Sequence, residues 1–290
     1  MFKIATKNQN LIRIVYSSKW LSKFFVFDIS GIDAVNDSAL RNAIISNMTT
    51  PERHGKTTAP GRFKDLDRIA SKYVRPEGPN VVHDIGVSTG VTACDFYDAV
   101  FATLSVEYFI SDKYTWYYYT GRRVVRVFDA EQRLLYGYVF SLLADSTLRP
   151  HYSIARLLFG ILGRIPPSDL EPKAICLFDQ TTIAYLNAGK LRSIEYDVFQ
   201  TKIVDRFTYV RCMNVLNMNS WFGDKEISAA IAAICGSLVE GGILQIGRSR
   251  DDGTHDVGFF RKERGGMRLL ESVNKGSELE RVVMTCGALG

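Results

Sequence analysis

Asp84, Gly86, Ser88 and Gly90, spaced two apart, occupy the end of the apolar run Val81 to Ile85 and the turn after it, just before a segment with helical character. Two chemistries fit this pattern. In the first, small residues at 86, 88 and 90 let the ribose and carboxylate of a nucleotide-type ligand approach the main chain. The free N–H groups at the start of the next helix then favour an anionic group. In the second, Gly86-Val87-Ser88-Thr89-Gly90 is Gly-x-Ser-x-Gly, a turn that presents a nucleophilic serine. Asp205 or Asp224, followed by His255, supplies the chain order of a Ser, Asp, His triad. No His-Gly-Gly-type oxyanion segment precedes Ser88, however, and Asp84 stands where a cofactor-binding loop places its carboxylate.

The run from Val81 to Gly90 resembles motif I of class I S-adenosylmethionine-dependent methyltransferases, an apolar strand followed by Asp/Glu-x-Gly-x-Gly-x-Gly. Asp84, Gly86 and Gly90 match, and Ser88 replaces the middle glycine. Phe207 to Asn217 resembles the fourth core strand of the same family. It is similar to the Cys-Arg-Asn-Val-Leu segment of chemotaxis-receptor methyltransferases, with Met213 in place of the arginine. The resemblance covers roughly residues 79–112 and 192–285. It implies a seven-stranded, mostly parallel sheet with helices on both faces, and S-adenosylmethionine as cofactor with S-adenosylhomocysteine as product.

It also implies roles for particular residues. Asp84, Gly86, Val87, Ser88 and Gly90 form the cofactor loop. Asp112, at the tip of the second strand beside Lys113, is the carboxylate that binds ribose hydroxyls, with Glu107 as second choice. Asp197 faces the adenine amino group with Val198 against the ring, and Asn214 lies beside the reactive methyl. No catalytic residue is assigned: His54, His151, His255 and the Tyr114–Tyr119 group are candidate bases, and His83 reads as structural. The acceptor is expected to be a small molecule or lipid, ahead of protein. The Asn/Asp-Pro-Pro-Tyr/Phe signature of amino-methylating nucleic-acid enzymes does not occur at strand four. A serine hydrolase using Ser88, or a non-catalytic cofactor-binding module, are the alternatives.

The elements that must position these residues follow from periodicity. Residues 1–75 read as an N-terminal helical cap and 76–290 as the main domain, interrupted by an insertion at about 115–190. Phe63 to Tyr73 has helical spacing, and Pro76, Gly78 and Pro79 end it before the first core strand. Within the insertion, Arg123 to Phe128 and Leu134 to Phe140 flank a turn and predict a hairpin. The aromatic run Tyr114 to Tyr119 suits a lid or a plug on a sheet face. Ser153 to Ile165 places Ile154, Leu157, Leu158, Ile161 and Leu162 on one stripe, which suits a helix packed on its own protein or one lying on a membrane surface. Strands are expected at Lys173 to Phe178, Arg192 to Phe199, Ile243 to Ile246, Val257 to Arg261, Met267 to Val273 and Arg281 to Thr285, and helices at Thr181 to Ala188 and around Ile227 to Leu238.

Composition narrows the class. The 290 residues, 46% apolar, suffice for one or two domains. Five scattered cysteines without a Cys-x-x-Cys pair or a nearby histidine pair indicate neither a metal site nor a disulfide framework, which fits a reducing cytoplasm. The first twenty residues lack the continuous apolar core of a signal peptide, and no run reaches the length of a membrane span. Residues 1–75 hold 13 Lys and Arg against 6 Asp and Glu, so the chain's positive excess is N-terminal. That excess fits a solvated cap or an anionic surface, without a strong nucleic-acid signal, and peripheral membrane contact stays open. Oligomeric state is not legible.

Overall fold

The computed structural model describes all residues except 1–2, 19, 47, 49–57, 147–152, 165–170, 219–221, 251 and 287–290. His54, His151, Pro166 and Pro167 therefore lie outside the described residues. In chain order the elements are β1 (Ile4–Thr6), α1 (Gln9–Ser17), β2 (Phe25–Phe27), α2 (Ser38–Ser46), α3 (Lys64–Ala70), β3 (Asn80–Ile85), α4 (Val91–Phe96, continued by a π-helical turn, Tyr97–Phe101), β4 (Val106–Ser111), β5 (Trp116–Thr120), β6 (Val124–Phe128), β7 (Leu134–Val139), β8 (Leu142–Asp145) and α5 (Ser153–Leu162). They continue with β9 (Lys173–Cys176), α6 (Gln180–Asn187), β10 (Arg192–Ser193), β11 (Phe207–Met213), α7 (Asp224–Ser237), β12 (Leu238–Ser249), β13 (His255–Glu263), β14 (Gly266–Val273) and α8 (Glu280–Thr285). The chain divides into two units, Met1–Thr58 with Tyr114–Gln180, and Ala59–Lys113 with Thr181–Gly290.

The first unit is built on a sheet of order β2-β1-β8-β7-β6-β5-β9. The expected hairpin is β6 and β7, antiparallel from Val124 opposite Val139. The N-terminal residues are not only helical, because β1 runs parallel to β2 and meets β8 at Ile4 opposite Leu142. Three-residue strands are too short to show a period of two, and the pairing partner lies in the distant insertion. Residues 1–58 and the insertion thus share one core, in which Ile12, Val15, Ile29, Ile32 and Ile44 pack with Tyr117, Val127 and Tyr138. The aromatic run is a strand that lines the inner face of this sheet with Tyr117 and Tyr119. Tyr138 satisfies its hydroxyl by donating to the Phe27 carbonyl at 2.9 Å.

In the second unit the sheet order is β10-β4-β3-β11-β12-β13-β14. Neighbours from β10 to β12 are parallel, β13 is antiparallel to both its neighbours, and β14 therefore runs with the rest. A mostly parallel sheet must bury both faces, and β11 is accordingly buried at every residue but Thr208. The core gathers Ile85, Val210, Cys212, Ile227, Ile231, Ile234, Leu244 and Phe260.

Two expectations are corrected here. The strand at Arg192–Phe199 stops after Ser193, because Asp197 turns the chain: its Oδ1 accepts from Phe199 N at 2.9 Å and its carbonyl accepts from Thr201 N at 2.8 Å. Residues 281–285 form the helix α8, not a strand; Arg281, which an alternating strand would place on the same face as the buried Leu279 and Val283, is exposed.

Candidate functional site

The loop after β3 is held against the end of β4. Gly86 N and Val87 N both donate to the Ser111 carbonyl, at 2.8 and 3.1 Å, and Ser88 N donates to Asp112 Oδ2 at 2.7 Å. Gly86, Ser88 and Gly90 have φ of +73°, +58° and +84°, so the every-other-residue spacing of small side chains matches an alternation of left-handed backbone. A Cβ on Gly86 would stand 2.2 Å from Val215 Cγ2, and one on Gly90 would stand 2.4 Å from Thr182 Cγ2. Replacing Gly86 by alanine therefore adds a clash to an unfavourable φ, and is expected to cost about 2 kcal/mol in urea denaturation. Adding Val215→Ala should return the steric part and leave the backbone part.

The hydroxyls of this loop are unusual. Ser88 is 8% exposed and Thr89 is fully buried, and neither Ser88 Oγ nor Thr89 Oγ1 has a hydrogen-bond partner among the described residues. Buried hydroxyls without partners are uncommon because each forfeits hydration without compensation. The Thr89 carbonyl, by contrast, accepts from Thr182 Oγ1 at 2.9 Å.

The geometry separates the two chemistries of the Gly-x-Ser-x-Gly run. A nucleophilic serine must present its oxygen to substrate and to a base, yet Ser88 Oγ is enclosed. Both ring nitrogens of His255 are engaged elsewhere, Nδ1 with Ser249 Oγ and Nε2 with the Arg62 carbonyl, each at 2.9 Å. Asp205 pairs with Lys262, and Asp224 opens α7. No triad assembles from these residues.

Asp84 does not face the loop with a spare carboxylate. It is buried, and its Oδ2 accepts from Arg211 Nε at 3.0 Å and from the Tyr108 hydroxyl at 3.1 Å. Arg211 stands directly opposite Asp84 in the β3–β11 register, and also reaches Asp67 Oδ1 at 3.3 Å and the Thr92 carbonyl at 2.8 Å. Burial works against the Arg211 charge, but Asp84, Tyr108 and Asp67 more than offset it and raise its pKa. Burial lifts Asp67 to about 7 against the pull of Arg211, with Asp84 and Asp95 adding to the rise. This cluster fixes the end of β3 to α3 and to the first turn of α4, on either side of the loop. Sequence reading missed Arg211 and Asp67. The available signal was a pair of opposite charges, Asp84 and Arg211, each inside an otherwise apolar strand.

Asn214 follows β11 with φ of +61° and ties the carboxyl ends of β11 and β12 together. Its N–H donates to the Gly247 carbonyl at 2.9 Å, and its Oδ1 accepts from Ser249 N at 2.6 Å. Asn214, Asn217, Arg248, Ser249 and Arg250 line a cavity of about 390 Å³ at this edge. Val215, in van der Waals reach of Gly86, brings this segment beside the loop. Val198 belongs to the same apolar cluster as Ile85. Lys113 is exposed, and the described hydrogen bonds of Asp197 are local to its own turn. The structure thus brings Gly86, Val87, Ser88, Gly90, Asp112 and the Asn214 segment together. The described hydrogen bonds of Asp197 do not reach them.

His83 lies in the core, with Nε2 bonded to Ser111 Oγ at 2.8 Å and its ring between Tyr196 and Phe207. Burial first, and then the Arg206 charge, push its pKa down to about 3, so it stays neutral. Among the described residues no group of acids, histidines and cysteines could hold a metal ion, and no helix is long and apolar enough to cross a membrane.

No protein-family model matches the chain, and no curated protein matches it. Solved structures similar to it include DszA carbon methyltransferase, at 11% identity over 68% of this chain and 38% of that one, with a TM-score of 0.34. An O-methyltransferase family protein from Burkholderia thailandensis is similar at 15% identity over 78% and 46%, with a TM-score of 0.34. A phosphoethanolamine N-methyltransferase of Haemonchus contortus, in complex with phosphomonomethylethanolamine and S-adenosylhomocysteine, is similar at 11% identity over 67% and 30%, with a TM-score of 0.32. The chain spans less than half the length of each of these three. The second unit itself has the seven-stranded, mostly parallel, Rossmann-like α/β fold that the resemblance to class I S-adenosylmethionine-dependent methyltransferases implies.

Proposed function

We propose that this chain is an S-adenosylmethionine-dependent methyltransferase acting on a small-molecule or lipid acceptor in a reducing cytoplasm. The observation that supports this reading best is the Gly86–Gly90 loop. Its left-handed backbone alternation is locked to the ends of β3 and β4. A cofactor with ribose and carboxylate groups would lie along the main chain of this loop and meet the half-buried Asp112 beside it. When bound, S-adenosylmethionine supplies a methyl group activated by its sulfonium leaving group.

The chain's own residues then position and exclude. Asp112 would hold the ribose hydroxyls, with Lys113 beside it, and the main chain of Gly86, Val87, Ser88 and Gly90 would pass beneath the cofactor. Val198 would cover the adenine ring and Asp197 would receive its amino group. Asp84 takes a positioning role, since Arg211 already occupies its carboxylate. Asn214 would stand next to the acceptor, with the cavity beside it taking the acceptor itself. Alignment of acceptor and methyl group, with water kept out, supplies most of the acceleration in such a displacement.

Calorimetric titration with S-adenosylmethionine and S-adenosylhomocysteine tests this reading, with micromolar binding of both expected. Asp112→Ala removes the partner of Ser88 N as well as the ribose ligand. It should weaken both affinities about 10- to 100-fold, the scale of a lost hydrogen bond to a charged group. Unchanged affinity in that variant would remove Asp112 from the site, and no binding of either ligand by the wild type would sink the proposal. A fluorophosphonate probe should leave Ser88 unlabelled.

A further inference from the structure

The helix α5 in the first unit is apolar on two sides. Ser153 and Arg156 are its only polar residues. One side, Ala155 and Leu162, is buried, and Leu162 fills the space over Gly137, where a Cβ would come within 2.6 Å of its Cδ2. The other side is open: Ile154, Leu157 and Ile161 are 42%, 66% and 41% exposed. At 100° per residue these three share one stripe, with Leu158 at one edge and Arg164, just past the helix end, at the other. Arg156 lies further round on the polar side, and both arginines are exposed.

Charge decides what covers such a stripe. From Ser146 to Ser168 the sequence holds three arginines, Arg149, Arg156 and Arg164, and no acidic residue. A second copy of the chain laid on the same stripe would offer these arginines no acidic partner from that segment. An anionic bilayer accepts both features at once, with aliphatic side chains entering the acyl boundary and guanidinium groups reaching up to lipid phosphates. We propose that α5 is a peripheral membrane-docking helix that lays Ile154, Leu157 and Ile161 onto an anionic lipid surface, with Arg156 and Arg164 at the headgroups.

The test is co-sedimentation of the full chain with vesicles of equal parts phosphatidylcholine and phosphatidylglycerol, against vesicles of phosphatidylcholine alone. The expected result is salt-sensitive binding to the first and little to the second. Leu157→Asp should lower vesicle affinity about ten-fold, and Arg164→Glu at least five-fold. Both positions are exposed, so the circular dichroism melts should match the wild type. Equal binding to both vesicle types, or a Leu157→Asp variant that binds like the wild type, overturns the proposal. So does a dimer in sedimentation equilibrium that Leu157→Asp dissolves without any vesicle binding having been present. The cofactor loop belongs to the second unit and α5 to the first, so loss of vesicle binding with intact S-adenosylmethionine binding separates the two proposals.

Discussion

Replacing Arg211 by methionine is expected to destabilise the chain by about 3–5 kcal/mol, the cost of removing one partner from a buried ion pair. The side chain is 1% exposed, and its guanidinium meets Asp84, Asp67, the Thr92 carbonyl, the Phe63 ring and the Phe96 ring, whose centroid is 4.3 Å from its central carbon. Methionine keeps most of the volume, so little of the loss comes from a cavity. What remains is Asp84 enclosed with only the Tyr108 hydroxyl to answer it. Adding Asp84→Asn to Arg211→Met removes that uncompensated carboxylate and should return a large part of the loss. Urea denaturation of the four members of this double-mutant cycle is the measurement. A loss below about 1 kcal/mol in the single variant would show that the ion pair contributes no more than a surface one.

The same cluster explains how far the sequence could be read. Parallel strands buried on both faces appear as apolar runs, so β3, β4, β11 and β12 were legible, as was the glycine turn that β3 feeds. The pairing of the N-terminal residues with the insertion was not, because β1 and β2 are three residues each and β8, the partner of β1 in the insertion, lies more than a hundred residues away. At the site, Gly86 and Gly90 stood out by type, but the reasons for them, Val215 and Thr182, are contacts no spacing rule reveals. Asp84 was legible as a carboxylate and misassigned in its contacts. A resemblance gives a residue's place in the fold, whereas its partner here depends on an arginine in the neighbouring strand. The stripe on α5 was visible in sequence, yet periodicity alone does not say which of a helix's two apolar sides meets the protein.

Stability between pH 4 and 6.5 should be nearly flat, because two buried groups titrate against each other. Asp67 has its pKa raised by burial to about 7 in the fold. Between about pH 4 and 7 the unfolded chain has released a proton that the folded chain still holds, so stability falls as pH rises. His83 has its pKa lowered by burial, and by Arg206, to about 3. Between about pH 3 and 6.5 the unfolded chain holds a proton that the folded chain excludes, so stability rises with pH. Each slope is about 1.4 kcal/mol per pH unit, and they oppose one another over the shared window. Asp67→Asn keeps the oxygen that faces Arg211 but abolishes the first slope, and should gain about 3 kcal/mol of stability from pH 4 to 6.5 relative to its own value at pH 4. His83→Gln should show the mirror image, losing about as much over the same range. Urea midpoints taken at half-unit steps of pH would check all three proteins. A wild type that already climbs steeply, together with an Asp67→Asn variant that climbs no faster, would mean that Arg211 keeps Asp67 ionised and that the buried cluster carries a net negative charge.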